Sequence, residues 1–254
     1  MDFTFGIITN GSENLPLIAQ SIRAQNIPNY EIIVVGQNDL SGSDIRSIPF
    51  DESIRPMWIT RKRNLIAQNS RYENIVMIHD YFVFLEGWYE GFLRFGSDFS
   101  ICNSKIIDLQ GRRGIDYTLF SPFLLPLSLR NRQLLPYDYP PSHKLSTIMY
   151  LPGNYIVIKR DIALKFPYDE RLVWNQMEDV VLSHTLTGAG HIIKCNPFST
   201  VQMIKDKGAY YDILMRPEDV EYLDYMPEDH YEHLAHISRM AVQAALFGET
   251  SKTG

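Results

Sequence analysis

Two hydrophobic patterns alternate along the chain. Short runs of apolar, often β-branched residues are separated by stretches in which apolar positions recur every three or four residues. Phe3-Thr-Phe-Gly-Ile-Ile-Thr9 reads as a buried first strand, and Asn10-Gly11-Ser12-Glu13-Asn14 is a turn suited to capping a helix. Leu15, Leu17, Ile18, Ile22 and Ala24 predict that helix, ending near Asn26-Ile27-Pro28. Glu31-Ile-Ile-Val-Val35 is a continuous run, as in a parallel strand covered on both faces. The turn Gly36-Gln37-Asn38-Asp39 follows it. Together these segments predict a βαβ unit, right-handed by the usual crossover rule.

Ser41 to Pro56 has no clear pattern. Arg61 to Asn69 predicts a helix with a basic beginning. Asn74-Ile-Val-Met-Ile78 predicts a buried strand with His79-Asp80-Tyr81 at its end. Phe82 to Phe95 predicts a short strand and a helix, and Phe99 to Asn103 a further strand. Between about 108 and 145, Pro122, Pro126, Pro136, Pro140 and Pro141 oppose long regular elements. Arg112, Arg113, Tyr117, Phe120, Arg130, Arg132, Tyr137 and Tyr139 interleave there, as in an insertion or binding loop. Thr147–Leu151 and Tyr155–Ile158 predict strands around Pro152-Gly153-Asn154, and His191–Cys195 the last strand. Leu234, Ile237, Met240, Ala241, Ala244 and Ala245 give the tail, about 228–247, an amphipathic helical pattern. The expected fold class is α/β, a mostly parallel central sheet flanked by helices, with a C-terminal helical appendage.

Composition narrows the function classes. The 254 residues are 45% hydrophobic and 21% charged, enough for a substantial core in one α/β domain. A net charge of -6 argues against a general nucleic-acid binder, while a local basic patch would still suit a phosphate-bearing small molecule. Cys102 and Cys195 are too few for a disulfide framework and sit among apolar residues, so buried free thiols in a reducing compartment are expected. No signal-peptide pattern and no apolar run near the roughly 20 residues of a bilayer span is visible. The expectation is a soluble, cytoplasmic protein, with peripheral membrane contact left to the C-terminal helix. That helix carries Glu228, Asp229 and Glu232 on its polar side, which opposes attraction to anionic lipid.

The candidate chemistry gathers at predicted strand ends, where open parallel sheets bind ligands. These are Thr9 and Asn10, then Gln37, Asn38 and Asp39, then His79 and Asp80; each is equally at home as a turn residue. Arg61-Lys62-Arg63 at a helix start suits a pyrophosphate, or a solvated helix face. Asp80 is one carboxylate where a hard divalent cation wants several oxygens. His184, His191, His230, His233 and His236 are further candidate ligands, the last three fitting a solvent-facing helix better. Lys205 and Lys207 lie in a polar segment able to neutralise a leaving phosphate. Glu178-Asp179 opens a helical run after Trp174 and Asn175. A carboxylate at a helix start is held by free N–H groups and the dipole, as a general base requires; an acidic first turn without chemistry is the plainer reading.

In order and spacing these pieces resemble the nucleotide-sugar glycosyltransferases of the GT-A fold, family 2 in particular, over about residues 3–200. The matching segments are Ile7-Ile8-Thr9-Asn10, Lys62-Arg63-Asn64, His79-Asp80-Tyr81, Pro152-Gly153-Asn154 through Arg160, and Phe166-Pro167-Tyr168-Asp169-Glu170 through Glu178-Asp179 to Gly190. Two departures stand out. An amide, Gln37 or Asn38, replaces the acid after the second strand, and Tyr81 replaces the second acid of the Asp-x-Asp metal motif.

The resemblance implies a UDP- or GDP-linked sugar donor and a glycan or other hydroxyl acceptor. It implies an inverting single displacement with Asp179 as general base and Glu178 beside it. Thr9, Asn10, Gln37, Asn38, Lys62, Arg63, Asp80 and Gly153 would bind donor, and Trp174 and Asn154 acceptor. Asp80 and His79 would hold Mn2+ or Mg2+, with strict dependence put in doubt by Tyr81. The expected organisation is a catalytic domain, 1–205, with a nucleotide-sugar half (about 1–105) and an acceptor half (about 106–205). A helical extension, 206–254, would follow. Two alternatives remain: a decayed domain that only binds sugar or protein, and a nucleotidyltransferase. The second is opposed by the lack of a cation in the turn after the first strand.

Overall fold

The computed structural model describes residues 1–119 and 133–205, together with Glu232, His236 and Met240, which are helical. Eight strands form the central sheet: β1 (Phe3–Ile8), β2 (Tyr30–Val35), β3 (Ile45–Ile48), β4 (Asn74–His79), β5 (Phe82–Phe84), β6 (Ile101–Ile107), β10 (Tyr155–Lys159) and β11 (Ile193–Met203). Their spatial order is β3-β2-β1-β4-β10-β6-β11-β5. β3, β2, β1 and β4 run parallel to one another, and β6 and β11 are parallel to each other. β10 is antiparallel to both β4 and β6, and β5 is antiparallel to β11, so the sheet is mixed. A second, three-stranded sheet joins β7 (Thr118–Leu119), β8 (Gln133–Leu134) and β9 (Met149–Tyr150) in the order β8-β7-β9.

The helices are α1 (Leu15–Arg23), α2 (Ile59–Asn69), α3 (Trp88–Phe95), α4 (His143–Ser146), α5 (Arg160–Lys165) and α6 (Glu178–Gly188). The period-two alternation of the strands sorts side chains onto two faces. Ile32, Val34, Val76, Ile78 and Val157 join Phe3, Phe5, Trp88 and the α1 residues Ile18 and Ile22 in one core layer. Ile33, Val35, Ile75, Met77, Ile156 and Ile158 join Ile66 of α2 and Leu182 and Leu186 of α6 in the other. Both layers are apolar because both faces are covered, which is why these strands read as continuous hydrophobic runs.

Several expectations are adjusted. α1 buries Leu15, Ile18, Ala19 and Ile22, a stripe at i, i+3, i+4 and i+7, and this leaves Leu17 exposed. β3 lies inside the stretch that shows no pattern in sequence. Cys102 and Cys195 are free and buried, in opposite core layers. In the insertion, Arg113 pairs with Asp116 at 2.6 Å and lies 3.8 Å over the Tyr137 ring, while Tyr137 Oη donates to the same carboxylate. Arg112 pairs with Asp108 at 2.7 Å. These cations therefore serve the local fold. Phe120, Arg130, Arg132, Lys207, His230, His233 and most of the predicted tail helix lie outside the described residues. Met240, expected on the apolar side of that helix, is exposed. Among the described residues, no helix is long and apolar enough to cross a membrane.

Candidate active site

The parallel strands β1, β2 and β4 end level with one another, since Ile8 pairs with both Val35 and His79. Antiparallel β10 starts beside the end of β4, with Tyr155 opposite Ile78. The Gly153-Asn154 segment thus reaches the same edge, and His79 N donates to Asn154 O at 3.1 Å. The ends of β1 and β2 touch tightly. Gly36 has φ +127, and a Cβ there would collide with the Thr9 carbonyl, so only glycine fits.

The acidic pair meets this edge from α6. Asp179 Oδ2 accepts from Gly153 N at 2.9 Å, and Oδ1 accepts from Val180 N at 2.9 Å. One carboxylate is thus held by two main-chain amides, one in its own helix and one 26 residues away. Glu178 is buried, 3.7 Å from Arg63 Nη1. Burial and the neighbouring Asp179 outweigh the attraction of Arg63, and the Glu178 carboxyl is pushed up to about 7.

The Lys62-Arg63-Asn64 segment of α2 lies almost wholly inside the protein. Arg63 is 1% exposed. Its Nη2 donates to Gly153 O and lies 3.1 Å from His79 Nε2, and its guanidinium is 4.9 Å from the Tyr168 ring centre. A Cβ at Gly153 would come within 2.9 Å of both guanidinium nitrogens. Gly153 therefore binds Arg63 through its carbonyl and Asp179 through its N–H. Lys62 is 2% exposed; its ammonium donates to Thr9 O at 2.7 Å and to Asn10 Oδ1, and pairs with Glu52. Asn64 exchanges 2.9 Å bonds with both main-chain groups of Tyr168, fixing the segment that leads to α6.

The predicted site residues fall into two groups. Thr9, Asn10, Lys62 and Asp80 are linked by hydrogen bonds, Arg63, His79, Gly153, Glu178 and Asp179 by a second set of contacts, and the chain joins the two at Lys62-Arg63 and His79-Asp80. Asp80 Oδ2 accepts from Thr9 Oγ1 at 2.6 Å, and the Asp80 carbonyl accepts from Ser12 Oγ and Asn14 Nδ2. Gln37 is exposed, and Asn38 is occupied within its own turn, bonding Gly36 O, Leu40 N and Ser47 Oγ. Trp174 is 47% exposed, and its main-chain N–H donates to Met57 O at 3.0 Å. Asn154 Oδ1 is buried with no hydrogen-bond partner among the described residues. His191 lies elsewhere, 2.9 Å from Ser100 Oγ. Sequence reasoning overlooked Glu52, which no pattern in its patternless segment marks.

A divalent cation finds a partial donor set here. Asp80 offers one carboxylate, which fits an ion whose remaining oxygens come from a diphosphate and water. His79 fits less well as a ligand, because its Nε2 faces the Arg63 guanidinium. Tyr81, in the place of a second acid, is 6% exposed, and burial raises its hydroxyl well above the usual tyrosine range. Among the described residues, no three His, Cys, Asp or Glu side chains gather as a metal-holding group.

No family model matches the sequence, and no curated protein matches it. Solved structures do match the fold. The crystal structure of GalNAc-T7 with UDP, GalNAc and Mn2+ superposes with a TM-score of 0.58 at 14% identity, over 91% of this chain and 50% of that one. The chain therefore spans about half the length of the GalNAc-T7 chain. S. aureus TarS 1-349 in complex with UDP-GlcNAc superposes at 0.55 and 12% identity, over 98% of this chain and 73% of that one. The same TarS fragment in another crystal structure gives 0.53 and 13%, over 100% and 76%. The mixed central sheet flanked by helices is the GT-A fold that these glycosyltransferase structures share.

Proposed function

We propose that the protein is a glycosyltransferase that moves a sugar from a nucleoside-diphosphate sugar to an acceptor hydroxyl, with Asp179 as general base. One observation carries the reading: the Asp179 carboxylate is fixed by Gly153 N and Val180 N at the strand ends, in a fold shared with structures holding UDP and UDP-GlcNAc. The donor nucleoside lies across the ends of β1, β2 and β3, with its diphosphate toward Asp80. The acceptor oxygen attacks the anomeric carbon while Asp179 takes its proton. The bond to the diphosphate breaks on the opposite side, which inverts the configuration. A positioned base of this kind contributes roughly 10²–10⁴-fold.

The other residues orient the reaction. Arg63 holds the Gly153 carbonyl and faces Glu178, so the pair at the start of α6 is set from beneath. Lys62 acts on the end of β1 and not directly on the diphosphate, because its ammonium is taken by Thr9, Asn10 and Glu52. A divalent ion, when bound, supplies positive charge to the departing diphosphate, and Asp80 is the residue that would hold it. Trp174, half exposed and four residues before Glu178, offers an aromatic face to an acceptor sugar, with Asn154 as a polar neighbour. Residues about 1–105 serve the donor and about 106–205 the acceptor in this reading. The 206–254 segment remains a proposed helical extension.

The test is Asp179→Asn. The variant is expected to keep the folded state and bind nucleoside diphosphate as before while losing transfer; near-wild-type turnover would refute the base assignment. The buried Tyr81 in place of a second acid favours one rival, a domain that binds sugar without transferring it. Slow donor hydrolysis by the wild type, abolished in Asp179→Asn, separates the two.

A further inference from the structure

We propose that Lys105 binds an oxyanion of the acceptor, a carboxylate or a phosphate ester, on the same molecule as the hydroxyl that reacts. The inference rests on the glycosyltransferase reading above and adds to it the chemical class of the acceptor.

β6 carries Lys105 to the edge where Asp179 is anchored. Val157 of β10 pairs with Cys102 of β6, and Tyr155 Oη lies 2.9 Å from Ser104 Oγ. One more step along this antiparallel ladder sets Lys105 beside Asn154, with the main chains about 5 Å apart. Met77, Ile101 and Ile156 pack in the core layer that contains α6. By strand alternation His79, Lys105 and Asn154, each two residues away from one of these, share that face. Gly153, which donates to Asp179, immediately precedes Asn154. β10 lies between β6 and β4, so Lys105 stands across the base from Asp80 and from the place of the diphosphate.

Three polar groups on this face lack partners among the described residues. Lys105 is half-buried, with no acid at ion-pair distance; its ammonium lies 5.2 Å from the Tyr137 ring centre. The nearby acids are taken: Asp116 accepts from Arg113, Tyr137 Oη and the amides of Ile106 and Tyr117, and Asp108 accepts from Arg112. Asn154 Oδ1 is buried and unbonded. Asn103, one pleat below Lys105, is fully buried with neither Oδ1 nor Nδ2 bonded. Buried amides are seldom left so, and an unpaired pair of them beside a lone cation points to a polar ligand. Lys105 offers N–H donors and positive charge to an oxyanion, and Asn154 Oδ1 accepts from a hydroxyl on the same molecule. The net charge of -6 gives the protein no general attraction for anions, so this cation acts locally.

The experiment is calorimetric titration, with UDP saturating, of methyl glucoside, glucuronic acid and glucose 6-phosphate. These sugars are alike in frame and carry no charge, a carboxylate and a phosphate ester. Wild type is expected to bind a charged sugar roughly three- to tenfold more tightly than the neutral one, between the worth of an exposed ion pair and that of a charged hydrogen bond. The preferred anion separates a sugar acid from a phosphorylated acceptor. Lys105→Met keeps the apolar stem over Tyr137 and is expected to bind the three sugars alike while binding UDP as before. Lys105→Arg is expected to keep the preference. Lys105→Gln repeats the neutral substitution should the methionine variant fail to fold, as judged by melting temperature. Equal binding, or no binding, of the three sugars by wild type overturns the assignment. So does a preference that survives in the neutral variants, or a loss of UDP affinity in them, which moves Lys105 to the donor side. If wild type binds neither UDP nor any other nucleoside diphosphate, the glycosyltransferase reading itself falls, and this assignment with it.

Discussion

Glu178 predicts an unusual pH response. Its carboxyl is pushed from the ordinary 4.5 to about 7 by burial and by Asp179, with Arg63 opposing. Between those values the folded protein holds a proton that the unfolded chain has released. Stability tied to this group is therefore fully present at low pH and is lost as pH rises toward 7. Each pH unit in the window is worth at most about 1.4 kcal/mol, so the whole interval costs on the order of 3 kcal/mol. For a domain of this size that corresponds to a fall of roughly 6–12 °C in melting temperature. Asp44 and Asp169 have depressed values from their Arg23 and Arg171 partners, and their contributions disappear only below the usual carboxylate range.

The perturbation is Glu178→Gln, which keeps the shape and removes the titration. The assay is a set of melting curves from pH 5 to 8 for both proteins. The exchange of a carboxyl group for an amide shifts the variant by an amount independent of pH, so the informative quantity is the difference in slope. Wild type is expected to lose stability relative to the variant as pH rises, and the two curves should level off against each other above about 7. Parallel curves across the window would refute the reasoning.

Two further outcomes are expected. Gly153→Ala places a methyl against the buried Arg63 guanidinium, which cannot retreat from its partners; the expected cost is about 1–3 kcal/mol in denaturant unfolding, with a loss of transfer larger than any loss of donor binding. Transfer is expected to fall in EDTA and to recover with Mn2+, and Asp80→Asn should abolish the recovery; activity indifferent to chelation would make Asp80 a hydrogen-bond acceptor only.

The sequence reveals the elements whose cause is local. β1, β2 and β4 are legible because a strand covered on both faces must be apolar throughout. The start of α6 is legible from its acidic first turn. β3 is hidden because Ile45-Arg-Ser-Ile48 is a short edge strand, only half buried at its two isoleucines and exposed at Arg46 and Ser47. The basic start of α2 misleads most. Arg61-Lys62-Arg63 resembles a solvated or phosphate-facing patch, yet Lys62 and Arg63 are among the most buried charges. Their partners lie far away in the chain, Thr9 at 53 residues and Gly153 at 90, and local pattern carries no record of such pairings.

The anchoring of Asp179 by amide protons of Gly153 and Val180 has a consequence for divergence. Main-chain groups are common to every amino acid except proline, which lacks the N–H. Replacement of neighbouring side chains therefore does not withdraw these two donors as long as the strand and helix meet. An arrangement pinned in this way depends on the backbone path more than on the identity of the side chains beside it. The orientation of the acid follows the backbone path, and neighbouring side chains can change without unseating it.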